Sequence, residues 1–261
     1  KKQVGPHGLF RIDDERIYSV NSYDNSIFKI NLNKKEIEDV VYVGRYPTHM
    51  ICINGNIYVV SSDSNSVTII DEESFNIVGS ISTGDKPHDI KVDDISKRIF
   101  ITNHSSSSLK VIDLEKKLEK EILLDSNPFH LVIVDSLIFI LCHPISNNTN
   151  SEIKIMSLTD ERVLESIEIS GIIVDMIKLK NEDIIFVTNA EDGNLYKIDF
   201  NKKIILSKYN IGNMLNNIVC KGSKLYISDT FDNRIIVFDY ILEEVVENIK
   251  VGKEPSSLIY I

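Results

Sequence analysis

Short apolar segments of four to seven residues recur along the whole chain, and polar turns separate each segment from the next. The segments are rich in Ile, Val, Tyr and Phe, which favour β-strands. The turns between them are rich in Asn, Asp, Gly and Ser, which tolerate tight backbone conformations and hydrogen-bond to their own backbone. The pattern therefore predicts an all-β protein.

The strand pattern repeats with a period of about forty-one residues. Six copies start at a proline or at the apolar residue that replaces it, namely Pro6, Pro47, Pro87, Pro128, Ile173 and Leu215. Each copy contains four segments, of which the second is the most apolar and always carries one aromatic residue, at Tyr18, Tyr58, Phe100, Phe139, Phe186 and Tyr226. Four strands per repeat form one blade, and such blades arranged in a ring form a β-propeller. We therefore predict one propeller over residues 1–261 with six blades of four antiparallel strands.

The last residues complicate the blade count. Residues 251–261 begin a seventh copy, with Pro255 at the proline position, and predict an extra C-terminal first strand. Segments 8–12 and 257–261 then compete for one inner-strand place. Part of a seven-bladed ring is accordingly the alternative fold.

Charge and composition narrow the classes of partner. The chain has 39 acidic and 29 basic residues, a net charge of −10, which disfavours nucleic acid because phosphate backbones need Lys and Arg. No apolar run approaches the roughly 20 residues of a membrane-spanning helix. The sequence contains no phosphate-binding glycine loop, G-x-S-x-G elbow, H-E-x-x-H motif or C-x-x-C motif.

Residues 57–113 carry a recognisable repeat, and its motifs return elsewhere in the chain. RIFITN at 98–103 and IIFVTN at 184–189 each end a strand in a YVTN-like tetrapeptide, and VGRYP, TGDKP and VGKEP supply the turn before the next copy. The chain thus resembles the YVTN-type β-propeller family, related to NHL-like repeats, over essentially its whole length. The resemblance implies the propeller fold and an exported or cell-surface location, with a cytoplasmic one as the alternative. It implies no single function, because the family includes surface proteins, binding proteins and relatives of enzymes.

All six histidines map to one face of the predicted propeller. The loops before the first strand and the turns after the second strand emerge together around the mouth of the central channel. Two residues past the proline position, the copies read Gly8, His49, Asp89, His130, Asp175 and Asn217, and further histidines fall close by at His7, His88, His104 and His143. We predict the ligand-binding site at this mouth, with candidate residues His49, Asp89, His130, Asp175, Asn217, His88, His104 and His143. Imidazoles alternating with carboxylates are compatible with a divalent metal ion or with an acid–base pair, and equally with bonds to neighbouring blades.

A second set of polar residues ends the second strands at the same mouth. It includes Asn103, Asn189 and Asp229, which we add to the candidate ligand-binding residues. Amide and hydroxyl groups there form an adaptable hydrogen-bonding rim, or alternatively begin the turns that follow the strands.

No activated nucleophile is evident, so no residue is assigned a catalytic role. The leading hypothesis is a non-enzymatic binding module that presents the His-rich face to an unknown ligand or protein partner. The alternatives are a metal-assisted lyase or hydrolase, for which His49, Asp89, His130 and Asp175 must converge, and a structural cell-surface component. No cofactor is predicted, with a divalent metal ion at the channel mouth as the alternative.

Overall fold

A computed structural model describes residues 4–145 and 150–260 of the chain. It contains six four-stranded antiparallel sheets and, in these residues, one short 3-10 helix at Ser62–Ser64. The predicted fold class is confirmed, because six such blades in a ring form a single six-bladed β-propeller. By contact density the described residues fall into two compact units, residues 4–131 and residues 132–260.

The first unit contains three complete blades. Its strands are β1 (Pro6–Arg11), β2 (Arg16–Asn21), β3 (Ser26–Asn31), β4 (Glu36–Tyr42), β5 (Pro47–Ile53), β6 (Asn56–Ser61), β7 (Ser66–Asp71), β8 (Ile77–Ser82), β9 (Pro87–Asp93), β10 (Arg98–Asn103), β11 (Ser108–Asp113) and β12 (Leu118–Leu123). The inner strand of the fourth blade, β13 (Asn127–Val134), begins at the end of this unit.

The second unit contains the remaining strands. They are β14 (Leu137–His143), β15 (Asn150–Ser157), β16 (Val163–Ser170), β17 (Ile173–Lys178), β18 (Ile184–Asn189), β19 (Asn194–Asp199), β20 (Ile204–Asn210), β21 (Leu215–Lys221), β22 (Lys224–Asp229), β23 (Arg234–Asp239) and β24 (Glu244–Lys250).

Burial follows the sequence pattern within each blade. The second strands are buried almost throughout, and the aromatic residues Tyr18, Phe100, Phe139 and Phe186 are at most 1% exposed. The fourth strands are largely exposed, as in β24, where every residue faces solvent. In the first unit, apolar side chains of the first and second blades pack on each other, with Tyr18 stacked on Phe75 at 5.7 Å between ring centroids. This packing holds the inner strands in place.

The inner strands begin earlier than the apolar pattern predicts. The sequence places the second inner strand at 49–53, whereas β5 starts at Pro47, which pairs with Ser61 at the end of β6. Proline is tolerated as the first residue of a strand because its missing N–H is not needed there. The polar residues that follow the proline are therefore part of the strand and not of a loop.

Residues 251–260 form no strand, although the repeat predicts one there. They nevertheless contact the sixth blade: the Thr230 hydroxyl donates to the Pro255 carbonyl at 2.9 Å, and the Leu258 amide donates to Asn217 Oδ1 at 2.8 Å. In the first unit, the equivalent Ser22 hydroxyl donates to the carbonyl of Pro47 in the next inner strand. The segment thus makes the contacts of an inner strand without the ladder pairing of one.

Candidate functional site

A β-bulge near the proline position of β1, β5 and β9 holds the polar residues. In β1, Pro6 pairs with Asn21 and Gly8 with Val20, so that His7 has no opposite residue. The register shifts in the same way after Pro47 in β5 and after Pro87 in β9. A bulge re-aims side chains out of the regular alternation. It therefore frees His7, His49 and His88 from the ordinary in–out pattern of a strand.

Hydroxyl groups fix these bulges against the neighbouring blade. Thr48 Oγ1 donates to the His88 carbonyl at 2.5 Å, and Thr102 Oγ1 donates to the Phe129 carbonyl at 2.9 Å. Thr102 Oγ1 also accepts a hydrogen bond from the Asp89 amide at 2.8 Å. Each buried hydroxyl thus satisfies backbone groups that a bulge leaves outside the ladder. The geometry of the bulges is consequently fixed by direct bonds.

Four histidines meet in the first unit to form what we call the histidine pocket: His7, His49, His88 and His130, with Asp89 beside them. The ring centroids of His7, His49 and His88 lie 5.2–5.5 Å apart and form a nearly equilateral triangle of edge-to-face contacts. The His130 ring lies 4.9 Å from both His49 and His88. Phe129 stacks on His88 at 3.9 Å and closes one side of the pocket.

Three imidazole nitrogens in this pocket lack a hydrogen-bonding partner. The Nε2 atoms of His7, His49 and His88 are buried and make no hydrogen bond. One ring nitrogen from each of these residues also lies within 4.8 Å of the others, as in a group that can hold a metal ion. A buried polar atom without a partner costs about 1–3 kcal/mol. The pocket therefore carries an unusual concentration of unsatisfied donors or acceptors.

The same three imidazoles are neutral at neutral pH. Burial lowers the pKa of His7 to about 4, and the neighbouring His130 acts in the same direction. Burial likewise holds the pKa values of His49 and His88 well below the ordinary value for histidine. A neutral imidazole keeps one nitrogen lone pair, which is the form that ligates metal ions.

Asp89 is a fully buried carboxylate that is already bonded on several sides. Lys91 Nζ lies 2.6 Å from Oδ1, and the Leu131 amide donates to Oδ2 at 3.0 Å. His130 Nδ1 lies 3.3 Å from Oδ2, and His49 Nδ1 faces Oδ1 at 3.8 Å. Burial alone raises the pKa of Asp89, but Lys91, His49 and His130 outweigh it and hold the pKa well below its usual range. The group is therefore an anion beside the histidines.

In the second unit, the predicted ring residues Asp175 and Asn217 bond to each other. Asn217 Nδ2 donates to Asp175 Oδ2 at 2.5 Å, and the Ile218 amide donates to the same oxygen at 3.0 Å. The Met176 amide donates to Oδ1 at 2.9 Å. Asp175 thus bonds the amide of the next inner strand, as Asp89 does with Leu131. Its contacts match the alternative in which the carboxylates of the ring form hydrogen bonds to neighbouring blades.

The rim residues also bond within their own turns. Asn189 Oδ1 accepts from the Glu191 and Asp192 amides, as expected for an Asx turn. Asp229 accepts from Arg234 at 3.0 Å and from the Met214 amide.

Three further predicted residues make separate contacts outside the two groups of potential metal ligands. Asn103 donates to Ser108 Oγ at 3.1 Å. His143 Nε2 lies 2.8 Å from the Ile173 carbonyl, the geometry of a donated hydrogen bond. His104 packs edge-on to Phe129 at 6.0 Å and belongs to neither group of potential metal ligands among the described residues.

Sequence reasoning thus identified part of the histidine pocket. It selected His49, His88, Asp89 and His130, which the structure brings together, but it left His7 out of the candidate site. The available signal was the position of His7 directly after Pro6, which matches that of His88 after Pro87. No sequence motif indicates that Lys91, two positions after Asp89 in β9, pairs with that carboxylate.

The fold and the pocket together define the class of this protein as a β-propeller with a half-buried cluster of histidines in one unit. Among solved structures, the chain is similar to the hydrazine synthase of Kuenenia stuttgartiensis, with a TM-score of 0.86 and 17% sequence identity over 98% of this chain and 89% of that one. It is also similar to the dihydro-heme d1 dehydrogenase NirN in complex with DHE, with a TM-score of 0.68 and 12% identity over 97% of this chain and 67% of that one. At these identities the likeness shows the fold alone.

No protein-family model matches the chain, and no curated protein matches it either. The resemblance to YVTN-type repeats therefore rests on the repeat motifs themselves. Among the described residues, no helix has the length and apolar character needed to cross a membrane.

Proposed function

We propose that this propeller is a metal-binding protein, and that its ligand is a divalent first-row transition-metal ion held in the histidine pocket. The observation that carries the proposal is the convergence of three neutral imidazoles whose buried Nε2 atoms lack any partner. Imidazole nitrogen is a preferred ligand for Zn²⁺, Cu²⁺ and Ni²⁺. An ion coordinated through the Nε2 atoms would satisfy all three nitrogens at once.

The distances are compatible with a site that closes on the ion. Two nitrogens that share one tetrahedral ion lie roughly 3.3 Å apart, given metal–nitrogen distances of about 2.0–2.1 Å. The ligand atoms of His7, His49 and His88 lie within 4.8 Å of one another. The imidazole rings would have to bring these nitrogens closer by up to about 1.5 Å for all three to bind one ion.

Asp89 supports the pocket as a positioning residue. A metal-binding histidine commonly donates its second N–H to a carboxylate, which fixes the tautomer and the ring orientation. His49 Nδ1 faces Asp89 Oδ1 at 3.8 Å, and a proton on Nδ1 leaves the lone pair on Nε2. A short movement of the ring toward Asp89 would complete this pair.

A second group of potential ligands, His49, Asp89 and His130, is a weaker candidate. Lys91 Nζ lies 2.6 Å from Asp89, so a cation there would stand next to an ammonium group. Coulomb repulsion between neighbouring positive charges disfavours this arrangement. The same contacts disfavour a lyase or hydrolase in which Asp89 acts as a free base.

Isothermal titration of the metal-stripped protein with Zn²⁺ tests the proposal. We expect one ion per chain, and a loss of affinity of at least tenfold for His7→Ala and for His88→Ala. His104→Ala is the matched control, because His104 lies outside both ligand groups, and it should bind as the wild type does. Absence of binding, or equal binding by all four proteins, would overturn the proposal.

A further inference from the structure

The three protein ligands leave the bound ion incompletely coordinated. Zinc and similar ions take at least four ligands, and structural zinc sites fill all four with protein atoms. Among residues 4–145 and 150–260, the group that contains His7, His49 and His88 has no fourth member. Sites with three protein ligands generally keep an exchangeable position.

The His130 ring lies beside these imidazoles but does not belong to their ligand group. Its Nδ1 lies 3.3 Å from Asp89 Oδ2, and its ring stands at 83° to the rings of both His49 and His88. It is grouped with Asp89 and His49 as a potential ligand, and not with the three imidazoles. His130 therefore lines the histidine pocket without joining the three-imidazole ligand group.

The charge of the pocket indicates which kind of ligand would fill the open position. Imidazole coordinates a metal ion as a neutral ligand and does not offset the charge of a divalent ion. The carboxylate of Asp89 is already compensated by Lys91 at 2.6 Å. A cation with uncompensated charge in a buried site favours an anionic ligand.

The surroundings limit the size of that ligand and give it access. Phe129 stacks on His88 at 3.9 Å, and the histidine rings contact one another edge to face. The side chains of His49 and His130 are still 22% and 15% exposed, so the pocket reaches solvent. These close ring contacts favour a small anion over a bulky one.

From these observations we infer that the metal ion proposed above keeps one open coordination position, which binds a small monovalent anion from solvent. The inference rests on the proposed function. It assigns to the pocket the chemistry of an exchangeable centre and not that of a structural ion. His130 lines this position without ligating the ion.

Cobalt substitution provides the test, because the visible spectrum of Co²⁺ reports its ligands directly. The metal-stripped protein is loaded with Co²⁺ and titrated with azide, and then separately with thiocyanate. We expect a saturable change in the visible bands with either anion in the wild type and in the matched control His104→Ala, while His130→Ala shows whether His130 takes the fourth position. The His88→Ala variant shows whether the cobalt signal comes from the pocket.

The outcomes separate this inference from the proposed function. If Co²⁺ binds in a His88-dependent way but neither anion changes the spectrum, the metal site stands and the open position is refuted. If only His130→Ala responds to azide, His130 fills the fourth position and the inference is equally wrong. If no His88-dependent cobalt signal forms, the proposed function itself fails and this inference falls with it.

Discussion

The substitution His88→Phe should have opposite effects on stability without and with metal. In the metal-free protein, His88 Nε2 is buried without a partner, which costs about 1–3 kcal/mol. Phenylalanine removes this nitrogen and keeps an aromatic ring against Phe129. In the wild type, Phe129 stacks on the His88 ring at 3.9 Å. The larger ring offsets part of the gain, so we expect a net increase of about 1 kcal/mol in the free energy of unfolding. That corresponds to roughly 2–4 °C in Tm for a chain of this size.

With zinc present the order should reverse. An ion at a concentration of 100 times its Kd stabilises the wild type by about 2.7 kcal/mol. The variant, with two of the three ligands left, should gain little. Urea unfolding in a chelator and in excess Zn²⁺ measures both effects, and His104→Phe is the control whose zinc response should match the wild type.

Two results would refute this reasoning. A loss of stability above about 1 kcal/mol in the chelator would mean that His88 Nε2 makes a stabilising bond, contrary to its lack of a partner. Equal stabilisation of wild type and variant by zinc would mean that His88 does not bind the ion.

Three further predictions concern the same unit. Because the pKa of His7 is lowered to about 4 in the folded chain, the unfolded state binds more protons between pH 6.5 and 4. The metal-free protein should therefore lose about 3 kcal/mol through His7 as the pH falls across that window, measured by urea unfolding at each pH; a flat profile would contradict the low pKa. Asp89→Asn should weaken zinc binding about 10–100-fold by titration, since the carboxylate that faces His49 is lost; unchanged affinity would remove Asp89 as a positioning residue. In Gly8→Ala, the added Cβ would lie 2.7 Å from the Thr48 carbonyl oxygen, a backbone atom. We expect a loss of about 1–3 kcal/mol, and a thermal melt at or above the wild-type Tm would show that β1 can move away.

Local patterning was sufficient to predict the fold. The alternation of apolar segments and polar turns determines where strands begin and end, and the forty-residue period determines how many blades they form. These are properties of neighbouring residues, which the sequence displays directly. The buried aromatic residues, such as Phe100 and Phe186, illustrate the point, because each occupies the most apolar strand of its copy.

The site depended on contacts between residues far apart in the chain. Each of His7, His49 and His88 is about forty residues from the next in the chain. Their meeting depends on the bulges that turn each side chain out of the strand alternation. The sequence identified the positions after each proline as polar but could not show which of them would converge. Asp89 and Asp175 occupy equivalent positions in the repeat, yet Asp89 faces two histidines and Lys91, whereas Asp175 bonds Asn217 and backbone amides. The repeat gives both carboxylates the same backbone setting, and only the tertiary structure decides the neighbours that give each one its chemistry.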